Sequence, residues 1–172
     1  TMSIAQELYE GLQVGGGESV GLITYMRTDS VQVATSAVSE ARGYITETYG
    51  KGFVPEKPRV FTPKAKSAQE AHEAIRPTSI RRTPDSVKAF LSRPQLNLYS
   101  LVWSRMLASQ MADARTEATT VDIEAACKGT SKVYMFRSTG SVLKFPGFRA
   151  LYLESIDDDE SEDGRQSLPE LA

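Results

Sequence analysis

A chain of 172 residues with 40% hydrophobic, 24% charged and 8% aromatic side chains has a globular composition, which excludes disordered, collagen-like and coiled-coil proteins. Its one cysteine and one histidine exclude a disulfide framework and a zinc module, and no apolar run reaches the roughly 20 residues of a membrane span, so we expect a soluble, cytoplasmic protein. The net charge of −2 combines acidic residues 156–172 with a body of 19 basic and 15 acidic side chains, a balance too weak to indicate a polyanionic partner.

The first part of the chain is predicted to alternate helices with extended segments. Apolar residues at helical spacing predict a helix over residues 2–11, and β-forming residues predict a strand over 20–26 after three glycines. Those glycines are no phosphate-binding loop, because no lysine followed by serine or threonine comes after them. A second helix is predicted from residue 35 or 36 to Tyr49, where Gly50 is a natural stop.

The middle of the chain carries several helix-start signals. Residues 51–66 contain three prolines and predict a loop, after which residues 67–70 fit a capping box and predict a short helix that Pro77 ends. A threonine before Pro84 predicts another helix start, and Ser92 predicts a long helix to about Ala112. The helical spacing of that last segment predicts a mostly apolar face, with Trp103 nearby, formed by Leu98, Leu101, Val102, Arg105, Met106 and Ser109.

After residue 115 the pattern of apolar residues changes from helical spacing to strand-like alternation. Alternating residues at 119–125, 132–136 and 142–145, with a turn at 138–141, predict an antiparallel meander. We therefore predict an α+β fold that is mainly α. Its parts are a helical domain over 1–112, a β-rich segment over 113–155, and an acidic, solvated loop with the end of the chain over 156–172.

Two clusters of residues could carry chemistry. The first places Ile23, Tyr25 and Arg27 on one face of the predicted strand, which runs into the polar residues 28–30. By itself this pattern is typical of ordinary packing, because tyrosine favours strands and arginine often lies over tyrosine at surfaces.

The second cluster lies in the predicted short helix, where Gln69, His72, Glu73 and Arg76 share one face by their spacing. Because Arg76 precedes a proline, its place in the helix is less secure than the numbering indicates. By itself this cluster is typical of a capped surface helix with a solvated histidine. Neither cluster alone identifies a function.

Together the two clusters resemble one known family. The sequences ITYMRTDS at 23–30 and SAQEAHEAIRPT at 67–78, the second with one extra alanine, are similar to the two signature motifs of the type IA DNA topoisomerases. The preceding AQELYEG at 5–11 and the later LVWSRMLASQM at 101–111 agree with the bacterial branch of that family. Met26 also favours this branch, since the related topoisomerase III group usually has proline there. The resemblance covers roughly residues 1–153.

The resemblance implies roles for six residues. Tyr25 matches the tyrosine that attacks single-stranded DNA, forming a 5′-phosphotyrosyl intermediate and releasing a 3′ hydroxyl. Arg27 matches the arginine beside the scissile phosphate. DNA-binding or supporting roles are implied for His72, Thr28, Asp29 and Arg76. The chemistry is reasonable, because a phenol with a pKa near 10 needs a nearby cation as it loses its proton.

The resemblance also implies a larger, multidomain enzyme. A helical tyrosine-bearing domain with a helix-turn-helix-like core would be joined to a β-rich arch, and Mg²⁺ would bind acidic residues of a separate Toprim lobe. We expect this chain to be a fragment that holds no metal, acts as a monomer with the other domains of its polypeptide, and does not relax DNA alone. The whole enzyme would act on single-stranded and negatively supercoiled DNA without ATP and without a membrane.

Two other functions remain open from the residues. One is a non-enzymatic single-stranded DNA-binding module in which Tyr25 stacks on a base and arginines hold phosphates. Those arginines would be Arg27, Arg76, Arg81 and Arg82. The other is a structural interaction domain that binds no nucleic acid.

Overall fold

The computed structural model describes residues 1–61, 72–129 and 131–152. It divides into two compact units, Thr1–Ala112 and Asp113–Ala172. In the described residues, the α-helices lie in the first unit and the longest strands lie in the second. The predicted class, α+β and mainly α, is confirmed. Within the described ranges, no helix is both long and apolar enough to cross a membrane.

The N-terminal part of the first unit positions the chain around Tyr25. Helix α1 (Met2–Glu10) ends at Gly11, as predicted, and leads into a small antiparallel pair of strands, β1 (Leu12–Gln13) and β2 (Ser19–Val20). The predicted strand over 20–26 is only partly formed. Beyond β2 the backbone pairs with a distant segment instead of a neighbouring strand, through a single antiparallel bridge from Ile23 to Pro77.

Three further helices complete the first unit. Helix α2 (Thr35–Tyr49) has the predicted limits and ends at Gly50, whose φ of 95° is one that glycine adopts readily. Helix α3 (Pro84–Val87) begins at Thr83, whose hydroxyl accepts the Ser86 N–H. Helix α4 (Arg93–Gln110) begins with a capping box formed by Ser92 and Gln95.

The core of the first unit lies between α1, α2 and α4. It buries Leu8, Ile45, Tyr99 and Leu107 completely. The predicted apolar face of α4 is partly confirmed, since Met106 and the nearby Trp103 are buried, and wrong for Leu101 and Arg105, which are exposed. Leu101 is 54% exposed, and the buried residues are Tyr99, Trp103, Met106, Leu107 and Gln110. The two aromatic rings can be buried because their polar atoms have partners: Tyr99 donates to the Arg82 carbonyl and Trp103 to the Ile80 carbonyl.

The second unit is a long antiparallel hairpin. Strand β3 (Arg115–Ala126) pairs with β4 (Val133–Phe145) along its whole length. The predicted three-strand meander is therefore a two-strand hairpin in the described residues, and the expected turn at 138–141 lies inside β4. The acidic run at 157–163 lies outside the described residues.

The predicted short helix before Pro77 is also absent where it can be examined. Residues 67–71, with the predicted capping box and Gln69, lie outside the described residues, and residues 72–76 are not helical. Their backbone groups bond elsewhere: the Ala74 N–H donates to the Gln32 carbonyl, and the Arg76 carbonyl accepts the Thr24 N–H. Pairing with residues 21–25, which we call the tyrosine segment, replaces the helix.

Candidate active site

Two segments about fifty residues apart in sequence are held side by side. The Thr24 N–H donates to the Arg76 carbonyl at 2.9 Å, and the Thr78 N–H donates to the Leu22 carbonyl at 3.0 Å. These bonds flank the bridge between Ile23 and Pro77. The two motifs found in the sequence therefore meet as neighbouring antiparallel backbones.

Threonine side chains reinforce this pairing. The Thr24 hydroxyl donates to the Ala74 carbonyl at 2.8 Å and accepts the Arg76 N–H at 3.0 Å. The Thr78 hydroxyl donates to the Gly21 carbonyl at 2.7 Å. Each hydroxyl thus binds the backbone of the opposite segment, which fixes the register in which Tyr25 and His72 face each other.

Helix α1 holds the tyrosine segment from another side. The Leu22 N–H donates to the Leu8 carbonyl at 2.7 Å. A Cβ atom at Gly21 would lie only 2.6 Å from the Tyr9 carbonyl oxygen, a distance that real Cβ atoms essentially never show. Glycine at this position therefore permits the backbone before Tyr25 to approach the end of α1.

The Tyr25 side chain lies in the open between two other rings. It is 48% exposed, and its ring centroid is 5.3 Å from that of Tyr9 and 6.0 Å from that of His72. A shallow depression of about 530 Å³ lies beside it, lined by these three rings and by Gly21, Ile23, Thr24, Glu73 and Thr78. The phenol is therefore accessible to a large substrate while its ring has neighbours on two sides.

One carboxylate links the basic residues of the site. Asp29 Oδ2 lies 3.2 Å from Arg27 Nε and 3.1 Å from His72 Nδ1. We assign the proton of this pair to Nδ1, as donor to the carboxylate, which leaves Nε2 of His72 without a proton. The other carboxylate oxygen of Asp29 is buried and has no hydrogen-bond partner among the described residues.

Arg76 has a different environment from the one its motif indicated. Its guanidinium forms a two-pronged pair with Glu73, with both N···O distances at 2.9 Å, and also donates to the Pro77 carbonyl. Burial opposes ionisation of Glu73, but the bonds from Arg76 and from the Ala34 N–H hold the pKa of Glu73 below its ordinary value. This pair ties the segment of residues 72–78 to the start of α2.

The structure brings four of the six predicted site residues together: Tyr25, Arg27, Asp29 and His72. Thr28 is exposed within the same turn, and Arg76 is engaged by Glu73 with only 13% of its side chain exposed. The DNA contacts of both stay predictions. The sequence analysis missed the hydrogen bonds from Thr24 to the opposite segment and the contact of the Tyr9 ring with Tyr25. Local spacing in the sequence does not show that these residues meet such distant partners.

The described residues hold no group of three or more histidine, cysteine, aspartate or glutamate side chains that fits a metal ion. Two carboxylates of the candidate site, those of Asp29 and Glu73, pair with the guanidinium groups of Arg27 and Arg76. Of the other arginines considered above, Arg81 pairs with Glu47 and Arg82 donates to the Thr78 hydroxyl.

An accessible tyrosine near a histidine, with an arginine bound to the same carboxylate as that histidine, can act as a nucleophile toward a centre such as phosphorus. The comparisons identify the class. The family model described as DNA topoisomerase matches residues 1–172, so the chain belongs to the bacterial DNA topoisomerase family. The resemblance seen in the sequence is confirmed.

Individual relatives agree with this assignment. DNA topoisomerase 1 of Xylella fastidiosa is 50% identical over 163 residues, which are 95% of this chain and 19% of that protein. DNA topoisomerase 1 of Rickettsia prowazekii is 43% identical over 98% of this chain and 21% of its own length. Full-length topoisomerase I of Thermotoga maritima matches with a TM-score of 0.69 and 37% identity, over 87% of this chain and 22% of that one. The chain thus spans about a fifth of these relatives.

Proposed function

We propose that this chain carries the nucleophile of a type IA topoisomerase, in which Tyr25 cuts and rejoins single-stranded DNA so that the larger protein relaxes negative supercoils in the bacterial cytoplasm. The observation that carries the proposal is the exposed Tyr25 ring beside the ring of His72, whose Asp29 partner oxygen also binds Arg27. Membership of the family supports it.

The proposed cleavage is a transesterification. The phenolic oxygen of Tyr25 loses its proton and bonds to phosphorus, while the bond from phosphorus to the 3′ oxygen of the preceding nucleotide breaks and that oxygen takes up a proton. Negative charge accumulates on the non-bridging phosphate oxygens, where the Arg27 guanidinium can stabilise it. Nε2 of His72, which carries no proton in the tautomer assigned above, can accept a hydrogen bond from the substrate instead. Asp29 holds both groups in position.

Rejoining is the reverse of the same exchange. The 3′ hydroxyl attacks the phosphotyrosyl ester, and Tyr25 leaves with a proton restored to its oxygen. One phosphodiester is exchanged for another of similar energy in each direction, so the proposed cycle needs no ATP. This agrees with a sequence that has no phosphate-binding loop.

The proposal places the magnesium chemistry of the family outside these residues. The carboxylates of Asp29 and Glu73 each pair with a guanidinium, and the described residues contain no group of three or more side chains that could hold a metal ion. We propose that the ion binds acidic residues elsewhere in the polypeptide. We therefore expect that the 172-residue chain alone does not relax DNA. We also expect it to act as a monomer together with the other domains of its polypeptide.

The alternative, a non-enzymatic DNA-binding module, has weaker support. Three of its four arginines pair with carboxylates: Arg27 with Asp29, Arg76 with Glu73 and Arg81 with Glu47. Binding of this chain to single-stranded DNA that weakens as salt rises would exclude the third reading, an interaction domain without nucleic acid, because contacts to phosphate release counterions. Such binding alone does not separate a nucleophile from a binding module.

The decisive experiment compares parent and Tyr25→Phe in the full-length protein with Mg²⁺. With an oligonucleotide labelled at its 3′ end, the parent should acquire the label covalently, since the tyrosine joins the 5′ phosphate of the downstream piece. Tyr25→Phe should form no adduct and relax no supercoiled DNA. Tyr49→Phe, in a different part of the first unit, is the matched control and should behave as the parent. An undiminished adduct in Tyr25→Phe would refute the assignment.

A further inference from the structure

The last turn of α1 contacts the tyrosine segment at three points. The Leu8 carbonyl accepts the Leu22 N–H, and the Tyr9 carbonyl lies against Gly21. The third contact joins side chains: the rings of Tyr9 and Tyr25 meet with their planes at 62° and their centroids 5.3 Å apart. Two contacts fix the backbone before Tyr25, and the third acts on its ring.

The ring contact restricts the part of Tyr25 that the backbone leaves free. An exposed tyrosine on an extended segment can adopt several combinations of its two side-chain torsions, and each sends the phenolic oxygen to a different place. An edge-to-face aromatic neighbour favours one of these arrangements. His72 lies near the ring as well, with centroids 6.0 Å apart, so Tyr25 has aromatic neighbours contributed by α1 and by the segment of residues 72–78.

We propose that Tyr9 is a positioning residue for the reaction: its ring holds the Tyr25 ring in the orientation from which the phenolic oxygen attacks phosphorus. This inference rests on the proposed function. Attack rates depend strongly on how often the reacting atoms are aligned, so losing the neighbouring ring lowers the fraction of productive encounters without removing any group that touches DNA charge.

Tyr9 can be changed without opening the core. Its side chain is 41% exposed and lines the same depression as Tyr25, whereas the fully buried residue of that helix turn is Leu8. Replacing the ring should therefore leave the protein folded. The effect on chemistry can be measured separately from any effect on stability.

The experiment uses Tyr9→Leu and Tyr9→Phe in the full-length protein with Mg²⁺ and a 3′-labelled single-stranded oligonucleotide. Three quantities are measured: the single-turnover rate of adduct formation, the dissociation constant for the oligonucleotide, and the midpoint of thermal unfolding. We expect Tyr9→Leu to form adduct about three- to tenfold more slowly, as the loss of an aromatic pair predicts, with an unchanged dissociation constant. Tyr9→Phe, which keeps the ring, should restore the parental rate.

Tyr49→Leu is the matched control. Tyr49 also lies near the end of a helix and contacts another ring, that of Phe53, with centroids 5.8 Å apart. Its loss should lower the unfolding midpoint and leave the rate of adduct formation unchanged. A purely structural role of Tyr9 would give the same result as this control.

Two outcomes overturn the inference alone. They are a parental rate in Tyr9→Leu while Tyr25→Phe forms no adduct, and a rate in Tyr9→Phe as low as in Tyr9→Leu, which would assign the effect to the hydroxyl. Adduct formation by Tyr25→Phe would overturn the proposed function and this inference together, so the two failures are distinguishable.

Discussion

At the scale of single residues, the pair of Glu73 and Arg76 does structural work inside the site. Each oxygen of the Glu73 carboxylate accepts a hydrogen bond from the Arg76 guanidinium, and Oε1 also accepts the Ala34 N–H at 2.6 Å. It therefore joins the residue that follows His72 to the start of α2. Charge-assisted bonds of this two-pronged kind are the stronger class of hydrogen bond, because both partners are ionised.

The pH dependence of this pair can be predicted with its sign. Burial acts against ionisation of Glu73, yet its bonds to Arg76 and Ala34 keep the pKa below the ordinary 4.5. A pKa lowered by folding contributes stability above that ordinary value and loses it as pH falls through the folded value. We expect Glu73→Gln to reduce the free energy of unfolding by about 1 to 3 kcal/mol at pH 7.

The measurement is urea unfolding of parent and Glu73→Gln from pH 7 to pH 3. The difference between the two should be constant near neutral pH and should shrink below pH 4.5, the ordinary value, as Glu73 gains its proton in the parent. Asp85→Gln is a suitable control, because Asp85 forms an exposed pair with Lys88 and should change little. A difference that stayed constant down to pH 3 would show that the Glu73 charge adds nothing.

The residues of the candidate site were predicted from the resemblance of two short motifs to a known family. Tyr25, Arg27 and Asp29 lie within five consecutive residues of one motif. The other motif supplied His72, the remaining residue of the candidate site. Tyr9 was missed because its meeting with Tyr25 depends on Gly21 allowing α1 and the tyrosine segment to approach. A contact set by tertiary packing leaves no periodic pattern in the sequence.

At the scale of elements, three differences between prediction and structure share one cause. Residues 72–76 pair with the tyrosine segment instead of forming a helix, and residues 138–141 continue β4 instead of turning. In α4 the buried face follows the partners available to Tyr99 and Trp103 instead of the spacing of the leucines. Helix limits were predicted well because caps and stops act locally, whereas these three features depend on distant partners.

The close approach of α1 to the tyrosine segment predicts the effect of one methyl group. In Gly21→Ala the new Cβ would lie 2.6 Å from a backbone oxygen of Tyr9, so α1 or the segment must move. We expect a loss of about 1 to 3 kcal/mol in the free energy of unfolding, as for other overpacked sites. In the full-length protein, adduct formation should also slow, because the displaced segment carries Tyr25.

Gly43→Ala is the matched control for this substitution. Gly43 lies inside α2 and an added Cβ would meet nothing within 4 Å. Alanine there should raise the free energy of unfolding by about 0.5 to 1 kcal/mol, because it favours the helix. Chemical unfolding of the two variants should thus shift in opposite directions. A Gly21→Ala protein as stable and as active as the parent would show that this approach of the backbones is not required.

At the scale of the whole molecule, the two units differ in how they bury apolar surface. The first has a core with completely buried Leu8, Ile45 and Leu107. The hairpin of the second exposes large apolar side chains. Ile123 is the register partner of Phe136 on one face, and Asp122 pairs with Arg137 on the other, yet Ile123 and Phe136 are 52% and 58% exposed. The described residues of the hairpin therefore have a ladder of backbone bonds but little core.

This difference predicts two levels of amide exchange with deuterium. Isolated two-stranded hairpins are marginally stable in water, so amides of β3 and β4 should exchange at least about a hundredfold faster than those of α4, whose side chains Tyr99 and Leu107 are fully buried. Both exchange rates, that of the hairpin amides and that of the α4 amides, can be measured by mass spectrometry of peptides from the 172-residue chain at several protein concentrations. Phe136→Thr should speed exchange in the hairpin alone, because it removes a cross-strand apolar pair. Hairpin amides that exchange as slowly as those of α4 at every concentration would contradict the prediction. Such slow exchange would require another surface that stably covers the apolar side chains of the hairpin.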